Sequence, residues 1–273
     1  MSGDAPSVLL TNDDGIDSVG FRALHGALAE FADVTAVAPA ADQSAVGRKL
    51  SNRVEVETHE LGFAVEGTPA DCVVAGLEVL CPDVDLVVAG CNKGANLGEY
   101  VLGRSGTISA AVEATFFDAP AIAVSLYVPG DGDGDWRDLA EDTADYAEAT
   151  RATTYLARHA RGAGVFEQAD YLNVNAPMPT AGSEPAPIEV TRPSTVYDMR
   201  ASRDGRHVHL EDNVWERMRE DAIDDPEGTD RRAVVEGRVS VSPLTAPHST
   251  EHHEALDALA ETYRDRPADR PLD

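Results

Sequence analysis

SVLLTNDDGIDSVGFRALHGALAEFADVTAVAP, residues 7–39, decides the architecture. Ser7 to Thr11 is a short, mostly apolar run of strand length. It ends in Asn12-Asp13-Asp14-Gly15, a loop signal. Phe21, Leu24, Leu28 and Phe31 then recur at helical spacing, and Val34 to Ala38 is a second apolar strand stopped by Pro39. Strand, loop, helix and strand in that order form the repeating unit of a parallel sheet.

The same alternation continues outward. Val54 to Glu57 alternates like a half-exposed strand, and Phe63 to Val65 is another short one. Gly67-Thr68-Pro69 reads as a helix start, with proline in the first turn, and the helix is expected to reach about Leu80. Val84 to Ala89 is a buried strand, followed by a loop rich in glycine and asparagine up to Arg104. Ser105-Gly106-Thr107 opens a helix of small residues to about Phe117. Pro120 to Leu126 and Tyr171 to Val174 are strands, and Trp136 to His159 is helical in pattern. The expected fold is α/β, a Rossmann-like, mostly parallel sheet with helices on both faces. Beyond Pro177, prolines, charges and short alternating runs take over. We therefore expect an α/β core over 1–177 and a C-terminal extension over 178–273, built of hairpins or arms and a terminal helix. Val239 to Ser242 is its clearest strand. The terminal helix, from about His252 to Tyr263, carries Leu256 and Leu259 on one face.

Composition narrows the function. The chain has 273 residues, 42% of them hydrophobic, which is enough for a large core. Its net charge is −27, from 49 acidic and 22 basic residues, and Lys49 and Lys93 are its only lysines. An acidic, lysine-poor chain points to a surface kept soluble at high salt. It argues against binding nucleic-acid polymers or anionic membranes, because no basic patch is available. A small phosphorylated substrate remains compatible, since a metal can neutralise it locally. Cys72, Cys81 and Cys91 are odd in number and lack CxxC spacing, so they read as free buried thiols in a reducing compartment. There is no secretory signal pattern and no run of eighteen apolar residues. A soluble, cytoplasmic protein is expected.

In parallel α/β sheets ligands bind beyond the carboxyl ends of the strands. The polar residues there are Asn12, Asp13 and Asp14 after the first strand, and Asp42, Gln43 and Ser44 after the second. Asn92, Lys93 and Asn96 follow the strand at 84–89, and Ser105-Gly106-Thr107 starts the next helix. Adjacent carboxylates at a strand end are costly unless a cation lies between them. Oxygen donors from Asp, Ser and Asn suit a hard ion such as Mg²⁺ or Mn²⁺. For Asn-Asp-Asp-Gly alone, a turn or helix cap is the plainer reading. Likewise Ser105 to Thr107 can cap a helix or hold a phosphate.

Taken together and in order, these motifs resemble the SurE family of survival-protein nucleotidases. The matching stretches are Thr-Asn-Asp-Asp-Gly-Ile (11–16), Gln-Ser-Ala-Val-Gly (43–47) and Gly-Thr-Pro-Ala-Asp-Cys-Val (67–73). Gly-Cys-Asn-Lys-Gly-Ala-Asn-Leu-Gly (90–98), Ser-Gly-Thr-Ile-Ser-Ala-Ala (105–111) and Asn-Val-Asn-Ala-Pro (173–177) follow. Thr-Asp at 229–230 and Val-Ser-Val-Ser-Pro-Leu (239–244) resemble the family's C-terminal signature. The resemblance implies a 5′-nucleotidase acting on nucleoside monophosphates. One divalent cation, Mg²⁺ or Mn²⁺, would be held by Asp13, Asp14, Ser44 and Asn92. Phosphate would be bound by Asn96, Ser105, Gly106 and Thr107. It also implies a homodimer or homotetramer through an exchanged C-terminal arm. Asp13 is then the candidate to orient water or accept its proton, and an aspartyl-phosphate on Asp13 is a second route. Arg104 stands where the bacterial pattern has a different residue.

Competing patterns are weaker. The Asp-x-Asp of haloacid-dehalogenase phosphatases does not occur at the first strand end. Asp131, Asp133 and Asp135 start like a calcium loop, but Trp136 replaces the glycine that its turn needs. Neither a Walker A motif nor GxGxxG after the first strand is found. His207 and His209 alternate on an expected strand, and His248, His252 and His253 cluster near the C-terminus without cysteines. A non-catalytic nucleotide- or metal-binding module would use the same loops, and an interaction protein would use the divergent arm.

Overall fold

The computed structural model describes residues 5–129, 139–246 and 254–263. The acidic loop at Asp131, Asp133 and Asp135, the start of the helix expected from Trp136, and His248, His252 and His253 lie outside the described residues.

Nine strands form one sheet in the order β3-β4-β2-β1-β5-β6-β7-β11-β8. They are β1 (Ser7–Thr11), β2 (Asp33–Pro39), β3 (Val56–His59), β4 (Gly62–Val65), β5 (Leu86–Lys93), β6 (Ala121–Tyr127), β7 (Tyr171–Pro177), β8 (Ile188–Val190) and β11 (Val239–Leu244). The six strands from β4 to β7 pair in parallel, while β3 and β11 join antiparallel to β4 and β7. A separate hairpin is made by β9 (Met199–Asp204) and β10 (His207–Asp212). The expected mixed α/β fold with a mostly parallel sheet is the one observed.

Alternation along the central strands feeds two cores. Val8 and Leu10 of β1 and Val88 of β5 face α1 (Val19–Ala29) and α5 (Ala147–His159). Leu9 and Val87 face the opposite layer, with α2 (Pro69–Ala75) and α4 (Gly106–Thr115). Each fully buried leucine or valine here stabilises the fold by about 1.5–3 kcal/mol. Phe21, Leu24 and Leu28 form the buried stripe of α1, as their spacing requires. The start of α2 is fixed by a capping box in which Thr68 and Asp71 satisfy each other's backbone N–H. This helix passes into a π-helical turn over Gly76–Leu80, so the helical stretch does end near Leu80. On α4, Ala110, Ala111 and Ala114 are buried, and their small size lets the helix lie close on the sheet.

Several elements differ from expectation. The helix expected from Trp136 is seen as a 3₁₀ turn at Thr143–Tyr146 leading into α5. A short helix, α3 (Glu99–Leu102), interrupts the loop expected over 90–104, where glycines on both sides mask its pattern. Beyond residue 177 the chain does more than form hairpins. It places β8 and β11 in the main sheet, so the sheet draws on both sides of the expected boundary. Ser240 and Ser242 of β11 are buried and both bond to the Thr191 hydroxyl, at 2.7 and 2.8 Å. Two more helices follow the hairpin and precede β11: α6 (Asn213–Arg219) and α7 (Asp230–Val235). The last helix among the described residues, α8, spans Glu254–Tyr263.

Candidate functional site

From β1 the chain winds outward through β2 and β4. It then returns to the other side of β1 with β5 and proceeds through β6 and β7. The direction of winding therefore reverses between β1 and β5, and the loops leaving their carboxyl ends part to open a crevice. Asp13 and Asp14 leave β1 there, and Asn92 is the last residue but one of β5. Pairing of β5 with β6 shifts register between Ala89 and Asn92, which bends the strand at that point.

Asp13 is buried, 3% exposed, and the Thr107 hydroxyl donates to its Oδ1 at 2.6 Å. The Gln43 N–H donates to its backbone carbonyl at 2.7 Å, tying the β2 loop to the β1 loop. A Cβ at Gly106 would come within 2.8 Å of Asp13 Oδ2, so only glycine lets α4 approach this carboxylate. The neighbouring Asp14 accepts the Lys93 N–H at 2.7 Å. Burial pushes the Asp13 carboxyl up to about 6. Burial, and then the Asp13 charge, push Asp14 up to about 7. Both acids thus resist ionising together in the protein alone.

The other two expected metal ligands lie beside them. Ser44 donates through both N–H and Oγ to Asp42 Oδ1, at 2.8 and 2.6 Å, which leaves the hydroxyl lone pairs for a cation. The Asn92 amide donates to the Gly94 carbonyl, leaving its oxygen as an acceptor. Among the described residues, no three His, Cys, Asp or Glu side chains are grouped to hold a metal. A cation at this site would need the Ser44 and Asn92 oxygens as well as the two carboxylates. The all-oxygen donor set and the strained acid pair fit a hard divalent ion.

The expected phosphate residues divide in two groups. Asn96 and Ser105 line the cavity, along with Asp13, Ser44 and Asn92. Ser105 caps α4 by accepting the Ile108 N–H at 3.1 Å, so the plain capping role is also real. Gly106 and Thr107 are buried behind Asp13, and the Thr107 hydroxyl is committed to that carboxylate. Asn96 is held from all sides. Its amide donates to Ser125 Oγ at 2.9 Å, and its backbone N–H donates to Asn175 Oδ1 at 2.8 Å. The Asn173 and Asn175 amides donate to its carbonyl at 3.0 and 3.2 Å. Asn173 and Asn175 alternate on β7 and point to the same buried face. Two buried amides on one strand are the sequence signal that would have revealed this support.

The cavity encloses about 780 Å³, within the range of small-molecule sites. The rest of its lining was not read from sequence as a site: it includes Tyr100, Arg104 and Tyr127, and Trp215 and Arg219 of α6. The Tyr100 hydroxyl donates to Asp212 Oδ2 at 2.5 Å, and Asp212 Oδ1 caps α6 by accepting the Val214 N–H. Asp230, buried, accepts N–H groups from Gly98 and Ser194 at 2.7 and 2.9 Å, pinning the α3 loop to the C-terminal segment.

The model of the survival protein SurE family matches residues 8–199. The chain belongs to the SurE family. A curated relative from Haloquadratum walsbyi, "5'-nucleotidase SurE", is 68% identical over 260 residues, covering 95% of this chain and 97% of that protein. One of the same name from Halobacterium salinarum is 58% identical, covering 96% of this chain and all of the relative. Among solved structures, the SurE protein from Aquifex aeolicus superposes with a TM-score of 0.71 at 30% identity, covering 96% of this chain and all of that one. The part matched by the SurE family model holds every expected metal and phosphate residue. Asp212, Trp215 and Arg219 lie beyond it.

Proposed function

We propose that this chain hydrolyses nucleoside monophosphates to nucleoside and phosphate, as a divalent-metal-dependent 5′-nucleotidase. The observation that carries the proposal is the Asp13–Asp14 pair, buried at the sheet's switch point beside the start of α4. The relatives' shared name, 5'-nucleotidase SurE, supports the same reading. Asp13, Asp14, Ser44 and Asn92 would hold one Mg²⁺ or Mn²⁺ per subunit. Such an ion, when bound, supplies charge neutralisation at the phosphoryl group and eases deprotonation of water.

The chain's own residues do the rest. Asp13 orients a water molecule and takes its proton as the water oxygen bonds to phosphorus. The ester P–O bond breaks, the departing nucleoside oxygen takes a proton from solvent, and Asp13 returns its proton to solvent. Asn96 and Ser105, which line the cavity, bind the phosphoryl oxygens. Thr107 fixes Asp13 in place.

Phosphate release from AMP and GMP with Mn²⁺ or Mg²⁺ at high salt, with EDTA as control, tests the proposal. Release that EDTA abolishes is expected. Nucleotide binding without release under every metal and salt condition would leave a non-catalytic module instead.

Three further properties belong to the same reading. The acidic surface would need molar salt, so the melting temperature should rise with added KCl. Exposed Tyr197 before the β9–β10 hairpin, with Val208 and Leu210 on it, supports a homodimer or homotetramer through the C-terminal arm. Light scattering at high salt reads that directly. A cytoplasmic location accords with free cysteines at 72, 81 and 91. In addition, no helix among the described residues is long and apolar enough to cross a membrane.

A further inference from the structure

We propose that Trp215, on α6, is the platform on which the substrate's nucleobase stacks. The inference rests on the nucleotidase reading and names the residue that distinguishes a nucleotide from other phosphate esters. The cavity runs from Asp13 to α6, and its volume of about 780 Å³ leaves room for more than a phosphate and a sugar. With the phosphate at Asn96 and Ser105, the base extends toward α6. Three aromatic residues line the cavity. Tyr100 is already engaged. The Arg104 and Arg231 guanidinium groups sit 5.3 and 5.4 Å from its ring centre, and the Tyr197 ring meets it edge-on at 5.2 Å. Tyr127 is 8% exposed and belongs to the small apolar cluster with Leu97 and Val234. Trp215 is half-buried. It packs partly on that cluster and also lines the cavity.

The helix geometry supports this role. Val214 and Met218, four residues apart, are buried in the cluster and anchor α6. Trp215, one position on, is carried toward the cavity with Arg219, four residues further. The start of α6 is fixed by Asp212, which binds both the Val214 N–H and the Tyr100 hydroxyl. An indole held at its base and open to the cavity is a sequence-tolerant surface for a flat base.

The test compares two substrates that share phosphate and sugar. In the full-length protein, Trp215→Ala should raise KM for AMP about 10-fold or more, the scale of one lost base stack. Turnover of ribose 5-phosphate should change less than about twofold, and Trp215→Phe should restore most of the AMP affinity. An equal change for both substrates, or none for AMP, overturns the proposal. Should Trp215→Ala not fold, fluorescence decides. Trp136 and Trp215 are the two tryptophans of the chain, so Trp136→Phe leaves one reporter. Combined with Asp13→Asn to prevent turnover, AMP should quench that emission and ribose 5-phosphate should not. Identical responses to the two would exclude the stack. Failure of the nucleotidase reading has a different signature, the absence of phosphate release from both substrates by the unmodified protein.

Discussion

The two sides of the cavity are made of different material. The inner side, from Asp13 to Ser105, is built of short loops at the ends of parallel strands, each tied to its neighbour by backbone or buried amide bonds. The outer side is a two-turn helix after a hairpin, joined to the inner side by the Tyr100–Asp212 bond. The inner side falls inside the part matched by the family model, and α6 falls outside it. The difference separates the chemistry of a phosphate group from the choice of what carries it. Changes on the inner side should affect all phosphate esters alike, and changes on the outer side should affect nucleotides selectively.

The largest break should come from Asp13→Asn. It removes the proton acceptor and one cation oxygen while keeping the size of the side chain. A loss of at least about 100-fold in kcat, the usual scale for an acid–base group, is expected. It should be equal for AMP and ribose 5-phosphate. Near-normal turnover, or a loss confined to one substrate, would erase the distinction between the two sides.

Asn175→Ala tests whether the inner side depends on its buried supports. The Asn96 N–H would lose its partner, and one of two donors to its carbonyl would go. A stability loss of about 1–3 kcal/mol is expected for an unsatisfied buried group. With it should come a fall in kcat of about tenfold for both substrates, with KM nearly unchanged. Thermal melts and steady-state kinetics on the same preparation check the two effects. Normal kcat with lowered stability would make the Asn173–Asn175 pair purely structural.

The fold was legible because its signal is repeated. Apolar strands and amphipathic helices alternate through residue 177, and each strand end carries polar residues that packing alone would not choose. Gly106 and Thr107 show the limit of that reading. Their position at a helix start suggests phosphate contact, yet both are buried behind Asp13, and Thr107 bonds to it. Sequence places them at the site but does not show which way a hydroxyl turns. The outer side was hidden for another reason. Trp215 sits in a seven-residue helix after a hairpin, and its relation to the cavity depends on contacts with residues more than a hundred positions away. Local periodicity carries no trace of such contacts.

The acid pair also makes a pH prediction. Raised carboxyl values, to about 6 and about 7 against an ordinary 3.8, mean that the folded protein holds these protons more tightly than the unfolded chain. This contribution to stability is fully present below about pH 4 and lost as pH rises through 6 and 7. In EDTA, Asp14→Asn should therefore be more stable than the unmodified protein at pH 8, by up to about 4 kcal/mol, at ~1.4 kcal/mol for each unit by which the carboxyl is raised. The advantage should vanish near pH 4. Added Mn²⁺ should stabilise the unmodified protein and leave the variant nearly unchanged. A variant less stable than its parent at pH 8 in EDTA would show that the pair is not strained.

Tyr100→Phe should give the smallest effect and the sharpest comparison. It deletes one hydroxyl, the one that donates to Asp212 at 2.5 Å, and keeps the ring that the two guanidinium groups meet. The metal and phosphate residues stay where they are, because Asn96 is held by β6 and β7 rather than by Tyr100. What loosens is the start of α6, where Asp212 keeps its bond to the Val214 N–H but loses its link to the inner side. One hydrogen bond of this kind contributes about 0.5–1.5 kcal/mol. KM for AMP should therefore rise about 2- to 10-fold, while kcat and the ribose 5-phosphate kinetics hold. If kcat fell for both substrates instead, α6 would be part of the catalytic side, and the division between chemistry and choice would not follow the two walls.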